Sequence, residues 1–195
     1  MTSPKVYTFQ QSSPIELVTE TGQEVQISIH QPSSFMSKNL ERVLPDWTLP
    51  VAWVVVVLQQ SRFALGETAT HIEREKDRLR ERFMRFGCTV VSHLRDQGFL
   101  ADLIDPRDGY PWLSRRGEIP HDDTAVVTAL LGFPVTTGNC SIITHPSWGN
   151  AVYPSILMSS ASPQFIKPAL KKEAIQQGWK DPTKYLQLSL PGVLQ

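Results

Sequence analysis

The chain has 195 residues, 41% hydrophobic and 19% charged, a balance that fits one soluble globular domain with tails and a core needing no disulfide staples. Its 19 basic residues match 19 acidic ones, so the basic surplus usual for a nucleic-acid-binding surface is absent. The two cysteines, Cys88 and Cys140, form no CxxC pair and suit a reduced intracellular protein, and the longest apolar run, Val51 to Leu58, is far too short to span a bilayer.

The opening MTSPKVYTFQQSSP has neither the apolar centre of a signal peptide nor the arginines of a mitochondrial presequence. A cytoplasmic protein is expected, with a mitochondrial location left open. Residues 1–22, broken by Pro4 and Pro14, read as a loosely packed arm or edge strand around Lys5–Phe9 and Ile15–Val18. After the Thr21-Gly22 turn, Val25, Ile27 and Ile29 alternate with polar residues, as in a strand with one buried face. Ser33 or Ser34 caps a short helix to about Leu44, which Pro45 stops. Val51 to Leu58 is apolar on both faces and predicts a central strand.

A long helix follows, with Thr68 or Thr70 as its expected cap. Ile72, Leu79, Phe83, Phe86, Val90 and Leu94 form its apolar stripe. Glu73, Arg74, Lys76, Asp77, Arg80, Glu81 and Arg85 read as its solvated face. Gly98 ends the helix, Phe99 to Ile104 forms a strand, and Asp105-Pro106-Arg107-Asp108-Gly109 makes a turn. The stretch from Tyr110 to His121 is irregular. Asp122 or Asp123 caps a short helix from Thr124 to Leu131, ended by Gly132. Ser141–His145 and Asn150–Ser159 read as a hairpin around Pro146-Ser147-Trp148-Gly149. After Pro163 the pattern becomes helical through Ala169 to Gln177, Gly178 ends it, and the remainder reads as a surface tail. Helices mixed with antiparallel strands, without regular βαβ alternation, make an α+β fold: mostly antiparallel sheet with flanking helices.

Motifs of chemistry are few. GxGxxG, GxxxxGK followed by Ser/Thr, HExxH and GxSxG do not occur. Asp105 and Asp108 suit a turn better than catalysis, and His121-Asp122-Asp123 suits helix capping better than a metal. Cys140 and His145, five apart on a strand, would face opposite sides roughly 17 Å from each other, too far for a nucleophilic pair. His145 reads first as a half-buried histidine bonded to a backbone carbonyl, and second, with Trp148 and Tyr153, as part of a binding surface. No catalytic residue and no metal ligand is assigned. The Tyr110–Arg116 loop offers Trp112, Arg115 and Arg116 as further partner-binding anchors.

Several words recur in one known family in the order found here: "IERE" from Ile72, "LRDQGF" and "ADLIDP" through Pro106, "LGF" at Leu131–Phe133, and His145-x-x-Trp148-Gly149. With the Leu44-Pro45-Asp46 corner they resemble the C-terminal domain of the methylmalonic aciduria and homocystinuria type D proteins, the cobalamin D adaptors. The resemblance runs from about Val25 to Pro163 and implies a domain over 23–163, followed by a C-terminal helix and tail over 164–195. It implies a nitroreductase-like α+β fold without a flavin site, and no tightly bound cofactor. It further implies a non-enzymatic adaptor that binds the cobalamin-processing type C protein and directs cobalamin (vitamin B12) towards methionine synthase or methylmalonyl-CoA mutase. Neither nucleic acid nor membrane is expected as a partner. The alternative is a small nitroreductase-like enzyme, a flavin- or thiol-dependent reductase.

In that family the loop after the position of Gly138 carries two adjacent cysteines, the first associated with thiolate ligation of cobalamin cobalt inside the partner complex. This chain has Asn139 in the first place and keeps Cys140 in the second. An amide forms no thiolate bond to cobalt, so Cys140 is either a packed small residue or a substitute ligand, and cobalamin would be met only within a partner complex.

Overall fold

The computed structural model describes residues 13–137 and 141–183. Five strands form one antiparallel sheet in the order β1-β2-β3-β7-β4: β1 (Ile15–Val18), β2 (Glu24–His30), β3 (Trp53–Gln60), β7 (Val152–Ser159) and β4 (Ala101–Leu103). Two short strands, β5 (Val135–Thr137) and β6 (Ser141–Ile143), pair separately. Period two then sorts the side chains into two cores. Val25, Ile27, Val55, Val57 and Leu157 face one side, where they meet α3 (Thr70–Asp96) and α5 (Pro163–Gln176). Val54, Val56, Leu58, Ile156 and Met158 face the other, where α1 (Ser34–Lys38), α2 (Leu40–Val43) and α4 (Asp123–Leu131) lie. The Val-rich run of β3 is therefore buried on both faces, as its composition predicts.

Helix α3 places Phe83, Phe86, Val90, Val91 and Leu94 on the sheet. It comes close enough at Gly87 that a Cβ there would meet Leu103 Cδ1 at 3.0 Å and Leu157 Cδ2 at 3.2 Å. The helix ends as expected, with Gly98 at φ 87 and its amide bonded to the Arg95 carbonyl. Its start differs from expectation: Ala69 stands at the cap with no side-chain bond, so neither Thr68 nor Thr70 caps it.

Other boundaries shift too. The helix after Ser33 is two short pieces, divided at Asn39, although Ser33 Oγ accepts the Met36 amide at 3.2 Å as a cap should. The strand expected from Phe99 to Ile104 contracts to three residues. Helix α5 begins at Pro163 and runs through Pro168, close to where the sequence places it. Proline is tolerated in the first turn, and the hydrogen bond lost at Pro168 is offset by burying Ile166, Ala169 and Leu170. The segment 15–18 and helix α5 share one core with the region between them, so the packed unit extends beyond 23–163 on both sides.

The hairpin expected between Ser141–His145 and Asn150–Ser159 is not formed. β6 pairs with β5, while β7 lies between β3 and β4. Only the tight turn survives, as a bridge between His145 and Gly149. The cause is composition: β7 is apolar on both faces and is stabilised more by a central place in the large sheet than by a three-residue partner.

Candidate functional site: a clamped loop beside β4

The irregular loop after β4 carries two large apolar side chains in water. Trp112 is 51% exposed and its neighbour Leu113 is 48% exposed. A loop holding two large apolar side chains in water needs an internal reason to stay there, and Asp102 supplies it. Asp102 is fully buried on β4. Its carboxylate accepts four backbone N–H groups, from Leu103 (2.8 Å), Trp112 (3.2 Å), Leu113 (3.0 Å) and Ser114 (2.6 Å). A buried carboxylate surrounded by amides is satisfied without a counter-ion, and those amides are fixed in position by it.

The same loop is tied to the α2 corner. Trp47 Nε1 donates to Ser114 Oγ at 2.9 Å, and the Arg115 amide donates to Asp46 Oδ2 at 3.0 Å. Further on, the Ile119 amide donates to the Arg42 carbonyl, and Gly117 passes so close that a Cβ would stand 2.0 Å from that oxygen. Arg116 pairs with Asp108 at 2.6 Å and lies over the Tyr110 ring, 4.8 Å from its centroid. Trp112, Arg115 and Arg116 thus stand together on one braced, exposed loop, as the sequence suggests.

The turn that precedes this loop is braced from α3. Arg80 grips Asp105 with two guanidinium nitrogens, Nε donating to Oδ1 at 2.6 Å and the second to Oδ2. The pairing holds the Asp105 carboxyl below its ordinary value. Arg80 therefore does not belong to the solvated face to which its spacing assigns it. Arg82 on the same helix is buried and donates to Gln59 Oε1 at 2.6 Å, and burial pulls its guanidinium down to about 10.

His145 and Trp148 are placed elsewhere and are buried, 3% and 8% exposed. The His145 ring stacks on the Trp148 ring with centroids 3.9 Å apart. Nδ1 accepts the Ser147 and Trp148 amides, both at 3.1 Å, and Nε2 faces Gln26 Oε1 at 2.9 Å. The ring thus accepts amides where a bond to a backbone carbonyl was expected, and its Nε2 carries the proton given to Gln26. Trp148 Nε1 donates to Glu24 at 3.2 Å. These two residues fasten the turn to β2 and present no surface of their own, which corrects their reading as interface anchors. Tyr153 is half-buried, and burial pushes its phenol up.

His121 and Asp123 line a cavity of about 420 Å³ beside the 105–109 turn, their facing atoms 3.5 Å apart, and burial pushes the Asp123 carboxyl up. Asp122 caps α4 by accepting the Ala125 amide at 3.0 Å, as expected. Among the described residues no group of three or more His, Cys, Asp or Glu side chains is arranged to hold a metal, and no helix is long and apolar enough to cross a membrane. Gly138, Asn139 and Cys140 lie outside the described residues.

Residues 3–170 match the family model of the methylmalonic aciduria and homocystinuria type D protein. The chain belongs to this family. Among type D relatives, the human protein named cobalamin trafficking protein CblD is 25% identical over 140 residues, covering 71% of this chain and 47% of the human one. The Gallus gallus protein of the same name is 23% identical over 150 residues, covering 76% of this chain and 50% of its own length. The Rattus norvegicus protein is 24% identical over 139 residues. The chain spans about half the length of these type D relatives. The matched span takes in the Asp102 clamp, the Trp112 loop and the Arg80–Asp105 pair.

Proposed function

We propose that the chain is a binding module of cobalamin trafficking. In this reading it is a non-enzymatic adaptor that docks the cobalamin-processing type C protein and helps pass cobalamin towards methionine synthase or methylmalonyl-CoA mutase. The single observation that carries the reading is the family match over residues 3–170, with relatives named for cobalamin trafficking. The exposed Trp112–Leu113 ridge supports the adaptor role: aromatic and arginine side chains on a rigid support are the residue types that carry most interface energy. Cobalamin is then met inside the complex, where Cys140 is the thiol nearest the family's ligand position.

The test is a titration of the purified chain with the purified type C protein, with and without cobalamin, followed by calorimetry and gel filtration. A stoichiometric complex is expected, and no complex under either condition overturns the reading. The chain alone is expected to be colourless and to leave the cobalamin spectrum unchanged. A band at about 450 nm that survives gel filtration, or NADPH consumption with an acceptor, would put a flavin-dependent reductase in its place.

A further inference from the structure

The cavity of about 420 Å³ beside the 105–109 turn is also walled by the start of α4 and by residues of β6 and β7, and it holds a polar pair that the fold leaves incomplete. His121 and Asp123 both line it, with side chains only 2% and 10% exposed. Their facing atoms, His121 Nδ1 and Asp123 Oδ1, stand 3.5 Å apart, too far for a good hydrogen bond. His121 Nδ1 and both carboxyl oxygens of Asp123 have no hydrogen-bond partner among the described residues. Buried polar atoms without partners destabilise a fold, and native proteins keep few of them. Three at the wall of one cavity mark a place prepared for something else to bind.

The backbone holds the pair in position. The His121 amide donates to the Gly109 carbonyl at 2.7 Å, and Asp122 caps α4 by accepting the Ala125 amide, which places Asp123 in the first helical turn. Neither side chain depends on the other for its place.

The sign of the ligand follows from the surrounding charges. Lys76, Arg107 and Asp108 also line the cavity, but each already has an opposite partner: Lys76 has Glu73 at 2.8 Å, Arg107 has Asp77, and Asp108 has Arg116 at 2.6 Å. The Asp123 carboxyl is left over. An anion entering here would confront that carboxyl and find both lining cations already paired. A planar cation with two parallel N–H groups would satisfy both of its oxygens at once. Leu65, Ile142, Val152 and Pro154 add an apolar wall for the rest of such a molecule. The volume lies near the lower end of the range of about 300–1,000 Å³ usual for organic ligands, so the molecule is small.

We propose that this cavity is a binding site for a small organic cation, an amidinium or guanidinium head on a compact apolar body, with the head seated on Asp123 and His121. The inference does not depend on the trafficking role proposed above. It also accounts for the proton. In the protein alone, burial pushes the Asp123 carboxyl up, opposed by His121 and reinforced by Asp122 and Asp105, with Tyr153 of β7 also in its field. A cation seated on the carboxyl favours its ionised form, so binding releases a proton and weakens on acidification.

The experiment titrates the full chain by calorimetry with benzamidine, benzamide and benzoate, which place a cation, a neutral amide and an anion on the same ring. Benzamidine is expected to bind one molecule per chain with a Kd of about 1 mM or tighter, and about tenfold or more ahead of the other two. Amide chemical-shift changes are expected to centre on residues 121–124 and 152–154. Asp123→Asn keeps the shape of the side chain and is expected to weaken benzamidine by about tenfold or more. Asp122→Asn removes a charge one residue away, keeps a capping side chain, and is expected to change affinity by about twofold or less. Should Asp123→Asn fail to fold, the three probes and the shift map on the wild-type chain decide. No saturable binding of benzamidine would show that the cavity holds water only and would overturn the proposal. Benzamide or benzoate binding as tightly as benzamidine, shifts centred outside the cavity, or full affinity in Asp123→Asn would each overturn it as well.

Discussion

The buried carboxylate of Asp102 and the backbone of Ser114 meet at 2.6 Å, the shortest of four amide contacts that fix the loop carrying Trp112. Hydrogen bonds to a charged group are worth about 1.5–3 kcal/mol, and an amide side chain in this place would turn N–H towards N–H. Asp102→Asn is therefore expected to lose about 2 kcal/mol or more in urea denaturation. Hydrogen exchange at residues 112–114 should rise well above the change seen elsewhere. Unaltered exchange at those amides would show that the clamp does not hold the loop.

Trp112→Ala tests the interface directly. The side chain is half exposed, so its loss is expected to leave the midpoint of unfolding nearly unchanged. It should weaken binding to the type C protein by about 2 kcal/mol. A variant that binds normally would move the interface elsewhere.

Arg80 and Asp105 form a largely shielded ion pair, 19% and 10% exposed at the side chain. Arg80→Met leaves the Asp105 carboxylate without its partner and is expected to cost about 2 kcal/mol, less than a fully buried pair would. The Asp105 carboxyl is held below its ordinary value of 3.8 by Arg80. The unfolded chain thus takes up this proton at a higher pH than the folded one, and the contribution is complete above that value and lost as pH falls below it. The difference between wild type and Arg80→Met should accordingly shrink as the solution is acidified below about pH 4.

His145 titrates in a higher window. Burial lowers its value from 6.5, opposed by the nearby Glu24 carboxylate, and its Nδ1 accepts two amides that a protonated ring would repel. Because the folded state resists the proton, this stability is present above pH 6.5 and lost as pH falls below it. His30, also lowered by burial, adds to the same slope. His145→Gln is expected to flatten part of the decline between about pH 6.5 and 5 in thermal melts, at a cost in stability at neutral pH.

Gly117→Ala is expected to displace the loop, since its Cβ would stand 2.0 Å from the Arg42 carbonyl, which has little freedom to move. A cost of about 2 kcal/mol, read by denaturation together with loss of protection at Ile119, is the expected result.

The elements with strong periodicity were legible beforehand. β2, β3, the stripe of α3 and the Asp122 cap follow from alternation, helical spacing and turn chemistry. What escaped depends on partners distant in sequence. Nothing around Ser141 tells that its strand pairs with Val135–Thr137 and not with the richer run after Asn150. Arg80 looks like any exposed helical arginine until Asp105 is placed opposite it. Asp102 reads as one acid inside "ADLID", because its four amides belong mainly to residues ten or more positions on. The exposure of Trp112 was legible as loop composition, whereas the inward stacking of His145 on Trp148 required the floor that β2 provides through Gln26 and Glu24.

The bracing of residues 110–119 from both β4 and α2 bears on the thermodynamics of association. Ordering a loose loop on contact commonly consumes much of the energy that its side chains return. A loop already held by Asp102, Asp46 and the Arg42 carbonyl has surrendered that freedom when the chain folds. If this loop is the docking surface proposed above, the entropic toll of recognition is settled during folding, and a small contact area centred on Trp112 would suffice for a long-lived complex.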